Sequence, residues 1–234
     1  MKPTLVLLPG LLCDKALWQH QINALGAYVD VIVPDLTGHD SMPELAKTVL
    51  SMAPDSFALA GLSMGGYVAM ELMRQAPQRI TQLALIDTSA RPDTDESRRK
   101  RRGLIQLAQK GDFKGVTPRL LPMLIAASRL QDEELTKLII DMAGRVGMHA
   151  FLNQQKAILG RIDSRPHLSL ITVPTTIICG EQDALTSPEH AQEMANFIKG
   201  AELHIIPGAG HLAPLEQPAP VNKILKKWLG ISEK

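Results

Sequence analysis

An α/β fold built on a mostly parallel sheet of about six strands is predicted by three features of this 234-residue sequence. Short apolar runs show no polar alternation, which marks strands buried on both faces. Helix-length segments separate those runs, and a strand-helix-strand rhythm implies right-handed crossovers with helices on both faces of the sheet. One stretch lacks strands and reads as consecutive amphipathic helices, an insertion between two sheet halves.

The strands are expected at residues 4–8, 29–33, 57–60, 83–86, 175–179 and 203–206, with helices at 15–27, 43–53, 64–75, 188–197 and 218–229. Residues 1–88 and 170–234 then make the core, and residues 89–169 a helical cap. In the cap, Leu135, Leu138, Ile139, Met142 and Val146 form one apolar stripe behind Asp132, a candidate N-cap with Glu133 and Glu134 in the first turn. Phe151, Leu152, Gln155, Ile158 and Leu159 form a second, mostly apolar one. Thr117-Pro118 reads as an N-cap with proline at the first helical position, and Pro122 should kink the helix beyond it.

Hydrophobic residues at 45% and charged residues at 21% exclude a disordered chain, a collagen, a coiled coil and a membrane bundle. A net charge of +1 gives no global footprint for nucleic acid or an anionic membrane. The only cysteines, Cys13 and Cys179, lack CxxC spacing; they read as buried structural thiols in a reducing compartment and offer no metal site. The apolar start has no small-residue cleavage site, and no apolar stretch approaches the roughly 18 residues that span a bilayer. A cytoplasmic protein is expected.

In parallel sheets, ligands sit at the carboxyl ends of the strands, so chemistry belongs in the loops after them. After the third strand comes Gly61-Leu62-Ser63-Met64-Gly65-Gly66. A serine projecting beyond the sheet edge needs a tight strand-to-helix turn, where side chains two residues to either side would collide and glycine does not. The following helix aims its N-terminal N–H groups at the place where an oxyanion would develop. A serine hydroxyl is a weak nucleophile and requires a base and a group that orients the base. Of seven histidines, His211 alone follows a late strand in a glycine-rich loop, Gly208-Ala209-Gly210-His211. His20, His149, His167 and His190 read as surface or packed residues, and the loop of His39 as part of the pocket rim. For the acid, Asp183 and Asp87 both end strands at the same edge, and the order Ser, Asp, His holds for either.

Four stretches together resemble the α/β-hydrolase superfamily over nearly the whole chain apart from the insertion: Leu7-Leu8-Pro9-Gly10-Leu11, Pro34-Asp35-Leu36-Thr37-Gly38-His39, the serine turn, and Gly180-Glu181-Gln182-Asp183 with the histidine loop. The resemblance implies an α/β-hydrolase fold with Ser63 as nucleophile, His211 as general base and acid, and Asp183 rather than Asp87 as the orienting acid. It also implies an oxyanion hole from the backbone N–H groups of Leu11 and Met64, and a cap over the pocket. Two departures stand out: Pro9 replaces the family's usual histidine, and the chain starts at what corresponds to the family's third strand.

Serine at the elbow, where some branches of the superfamily carry aspartate, implies an acyl-serine intermediate. Leu11-Leu12-Cys13-Asp14 with Leu17-Trp18 is similar to small bacterial esterases of the pimeloyl-carrier methyl esterase and enol-lactone hydrolase type, and Met64 is also similar to perhydrolase-like members. A carboxylic-ester hydrolase for small to medium aliphatic acyl groups is the leading expectation, with no cofactor or metal. A second reading keeps the triad for lactones, thioesters, perhydrolysis or a lyase step, and a third makes the fold a silent small-molecule binding module. Arg91 and the run Arg98-Arg99-Lys100-Arg101-Arg102 are a solvated helix face or a docking site for an acyl carrier protein or acyl-coenzyme A.

Overall fold

The computed structural model describes residues 2–231. Six strands, β1 (Thr4–Leu8), β2 (Asp30–Ile32), β3 (Phe57–Leu62), β4 (Ile80–Ile86), β5 (Thr175–Gly180) and β6 (Glu202–Ile206), form one sheet in the order β2-β1-β3-β4-β5-β6. Every neighbouring pair is parallel. The helices are α1 (Gln19–Leu25), α2 (Met42–Met52), α3 (Met64–Gln75), α4 (Asp95–Gln109), α5 (Leu121–Leu124), α6 (Glu133–Leu159), α7 (Pro188–Phe197), α8 (Ala213–Glu216) and α9 (Pro218–Trp228).

Successive residues of a strand face opposite sides, so the buried strands feed two cores. Leu5, Leu7, Ala60 and Leu62 pack with α1 and α9, while Val6, Leu8, Leu59 and Leu85 pack with α2, α3 and α7. The chain moves outward from β1 to β2, then crosses back to place β3 on the other side of β1. That reversal opens a crevice above the carboxyl ends of β1 and β3, the switch point at which parallel sheets bind ligands.

Helices α4, α5 and α6 lie in the long segment between β4 and β5. Asp132 caps α6 as expected, its Oδ1 accepting the Leu135 N–H at 3.0 Å. The two apolar stripes belong to one helical span broken at Gly147, whose φ of 76° and ψ of 176° only glycine adopts readily. Thr117-Pro118 does not open a helix. A helix begun there would need an N–H at position 122 to reach the Pro118 carbonyl, and Pro122 has none; the Leu120 N–H instead closes a turn on the Thr117 carbonyl at 2.9 Å and α5 starts at Leu121. Near the start, Asp14 caps a short 3-10 turn, Lys15–Trp18, which precedes α1 within the single helix expected there. Among the described residues, no helix is long and apolar enough to cross a membrane.

Candidate active site

β3 ends at Leu62, α3 begins at Met64, and Ser63 sits between them at φ 53°, ψ −114°. A non-glycine residue at positive φ is strained, by an amount of order 1–3 kcal/mol, and persists only where its surroundings dictate it. Here the Ser63 N–H donates to the Ile86 carbonyl at 3.0 Å, and the Thr88 hydroxyl donates to the Ser63 carbonyl at 2.8 Å. A side chain at Gly61 would fall on the Gly65 carbonyl, and one at Gly65 on the Leu8 carbonyl, so the turn closes only with glycine at both places.

The strained turn holds the Ser63 Oγ 2.9 Å from His211 Nε2. His211 Nδ1 lies 2.9 Å from Asp183 Oδ2. Thr186, absent from the sequence-based reading, donates its hydroxyl to the same Asp183 oxygen at 2.7 Å, and Asp183 Oδ1 accepts the Leu185 and Thr186 N–H groups at 2.8 and 2.9 Å. Burial works against the Asp183 charge, but the His211 ring and these donors outweigh it and hold the carboxyl down at about 2. A fixed anion behind the ring orients the imidazole and stabilises it when it takes a proton. Leu11, after β1, lines the crevice beside Ser63, and Met64 follows Ser63 as the first residue of α3.

Asp87 does not reach the imidazole. Held at φ 43°, it is fully buried, and its two carboxylate oxygens accept the Gly180 N–H at 2.8 Å and the Ala213 N–H at 3.0 Å. Burial and then the neighbouring Asp183 charge push its pKa well up. It ties the end of β5 to the segment after His211. Asp87, Cys179 and Asp183 present atoms within 4.8 Å of one another, yet both carboxylates already accept hydrogen bonds and the Cys179 thiol donates to two carbonyls, with burial driving its pKa far upward. Cys13 departs from the expected buried thiol: it is half-buried in the cavity wall.

Two further residues brace the site without any local sequence signal. Glu216 is buried; its Oε1 accepts the Gly210 and Leu212 N–H groups on either side of His211, at 2.9 and 3.1 Å, and its Oε2 accepts Ala126 N–H at 2.7 Å from the segment after α5. The His211 N–H donates to the Leu124 carbonyl at 3.0 Å, so the insertion rests directly on the histidine loop. Gln154 of α6 accepts the Leu12 N–H at 3.0 Å and donates to Leu36 at 3.3 Å, bracing the turn after β1, where Leu12 has φ 59°.

Ser63 and His211 open onto a cavity of about 900 Å³ between the sheet edge and α4–α6. Its apolar lining is chiefly aliphatic, with the Phe113 and Phe151 rings tilted at 43° to each other and their centroids 5.1 Å apart. His190, on α7 as a half-buried residue beside the Ser187 hydroxyl, lines this cavity, whereas His39 is exposed and the 37–40 loop stays out of the wall where the sequence placed it at the rim, tied to α6 through Asn153. The basic run divides: Arg99, Lys100 and Arg102 are exposed, and Arg101 turns into the cavity.

The chain resembles proteins of known structure along almost its full length. An esterase from Thermogutta terrifontis, solved with malate bound, superposes with a TM-score of 0.90 at 30% identity, over 98% of this chain and 90% of that one. The enol-lactonase from Burkholderia xenovorans LB400 gives a TM-score of 0.89 at 25% identity, over 98% and 92%. In sequence, the pimeloyl-[acyl-carrier protein] methyl ester esterase of Nitrosomonas europaea is 27% identical over 92% of this chain and 91% of that protein. Residues 5–224 match the alpha/beta hydrolase family, and the chain belongs to it.

Proposed function

We propose that the protein hydrolyses carboxylic esters of small to medium aliphatic acyl groups through an acyl-Ser63 intermediate. The observation that carries this reading is the unbroken relay from Ser63 Oγ through His211 to Asp183, two contacts of 2.9 Å, at the floor of a large aliphatic cavity.

His211 Nε2 takes the Ser63 proton as Oγ attacks the ester carbonyl, and the imidazolium gives that proton to the departing alkoxide. Water, deprotonated by the same nitrogen, attacks the acyl-serine and releases the acid. The N–H groups of Leu11 and Met64 meet the negative oxygen of each tetrahedral intermediate, aided by the positive end of α3. The insertion serves as the cap that encloses the acyl chain. These steps use only the protein's own groups and water.

Profiling p-nitrophenyl esters across acyl lengths tests the class and sizes the pocket in one experiment. Ser63→Ala and His211→Ala should each cut kcat by roughly 10⁴ to 10⁶, and Asp183→Asn somewhat less. Full activity in Ser63→Ala, or a harmless Asp183→Asn beside a severe Asp87→Asn, would refute the assignment. Similarity to an enol-lactonase favours lactones as a second substrate class for the same residues, separated by a lactone panel. A carrier-linked acyl group would meet the exposed Arg99, Lys100 and Arg102; equal salt dependence for carrier-linked and free esters removes that partner.

A further inference from the structure

One wall of the cavity is charged. Where α4, the segment before it and the end of α6 converge over Tyr67, Arg101 Nε donates to Asp93 Oδ2 at 2.7 Å and its Nη1 to Gln155 Oε1 at 2.8 Å. Arg161 Nη2 reaches the other oxygen, Asp93 Oδ1, at 2.8 Å. All four side chains line the same cavity as Ser63 and His211. Burial opposes the charge on Asp93, but the two arginines prevail and hold its carboxyl below the ordinary range. Two guanidiniums thus share one carboxylate, and the wall keeps one positive charge in excess.

That excess is sheltered from water. The Arg161 side chain is only 9% exposed, its Nε is buried with no hydrogen-bond partner, and its guanidinium carbon stands 4.3 Å from the centre of the Tyr67 ring. Arg161 is also held by backbone, its Nη1 donating to the Ile158 carbonyl at 3.0 Å and its Nη2 to the Arg91 carbonyl at 3.2 Å, so the unmet demand is that of two sheltered guanidiniums with one carboxylate between them, which an anion in the cavity would offset. Arg91 does not share this role, since Glu193 and Glu189 take its charge at 2.8 and 3.3 Å. Tyr67 lies one turn into α3, its N–H donating to the Ser63 carbonyl at 3.3 Å, and both residues line this cavity. A short chain of methylenes can therefore bridge an ester carbonyl at Ser63 and an anion at the arginines.

We propose that this cavity selects esters that carry a second, free carboxylate, received by Arg101 and Arg161 while the aliphatic lining takes the methylenes between. The proposal rests on the acyl-Ser63 reading and names its substrate class.

The test compares mono-p-nitrophenyl adipate with the same ester whose free carboxyl is capped as a methyl ester, by the ratio of their kcat/KM values. The wild type should favour the free acid at least about tenfold, the scale of one charge-assisted hydrogen bond. Arg101→Gln should cut that ratio by about tenfold, and Arg101→Lys should restore part of it. A wild-type ratio near one, with Ser63-dependent release of p-nitrophenol from both, overturns the carboxylate site and leaves ester hydrolysis standing. Release from neither overturns both. An Arg101→Gln enzyme slowed equally on the two esters assigns Arg101 to holding α4 and also overturns the site. Should that variant not fold, competitive inhibition of the wild type decides: adipate must inhibit more tightly than dimethyl adipate at matched ionic strength, and equal inhibition refutes the proposal.

Discussion

Replacing Glu216 by glutamine asks how firmly the histidine loop is held by a group that touches no substrate. The carboxylate accepts three backbone N–H groups, from Gly210 and Leu212 on one oxygen and Ala126 on the other. An amide keeps one acceptor oxygen. Turned toward the histidine loop, it preserves two bonds in weaker, neutral form and faces its own N–H groups against the Ala126 N–H. One charge-assisted bond is then lost, about 1.5–3 kcal/mol. The neutral amide escapes part of the burial penalty that raises the Glu216 pKa, which trims the net cost to about 2 kcal/mol. For a chain of this length, that corresponds to a fall in Tm of roughly 4–8 °C. Thermal melts followed by circular dichroism read it directly. Because the lost bond joins the insertion to the loop carrying His211, kcat should fall several-fold while KM changes less. A glutamine enzyme melting within a degree of wild type with unchanged kcat would show that the glycine-rich loop holds its own shape, and the bracing argument would fail.

Two further outcomes rest on single residues. Asp183 is held near 2 in the fold against 3.8 ordinarily, so it contributes about 2 kcal/mol of stability that is fully present above pH 4 and lost as pH falls toward 2; denaturant melts across that range should show an acid slope that Asp183→Asn lacks. Gly147→Ala places a methyl where nothing lies within 4 Å, so its cost is backbone strain alone, about 1–3 kcal/mol, and a Tm equal to wild type would refute the assigned conformation.

Strands and elbow were legible in the sequence because their causes are local. Doubly buried strands must be apolar on both faces, and a turn that presents Ser63 must have glycine where Gly61 and Gly65 stand. The choice between Asp183 and Asp87 was not local: both end strands at the same edge, and the family resemblance favoured the one that the fold brings against the imidazole. Glu216 and Gln154 escaped detection because they act on backbone groups, several of them far along the chain, where residue type carries no pattern, and Thr186 because nothing in its short loop marks which hydroxyl turns back onto Asp183. Arg101 was read as one charge in a run, yet helical geometry turns it away from Arg99, Lys100 and Arg102 and into the cavity. Its partners are Asp93 nearby and Gln155 from another helix, and no periodicity joins them.

The strand order explains why the legible motifs converge at all. Leu11 follows β1 and Ser63 follows β3, and the sheet makes those strands neighbours because β2 was laid on the outer side of β1. Two segments separated by some fifty residues therefore end at one crevice, with Leu11 and Ser63 on its wall. Hydrophobic pairing sets that convergence to within the spacing of strands, whereas proton transfer needs a hydrogen-bonded contact. The remaining precision comes from buried polar ties: Thr88 on the Ser63 carbonyl, Asp87 between β5 and the segment after His211, and Glu216 on the histidine loop. Of these three, Glu216 also reaches the insertion, at Ala126, so movement there is transmitted through Glu216 to the loop carrying His211. Substrate that seats the insertion firmly would thereby firm His211 as well.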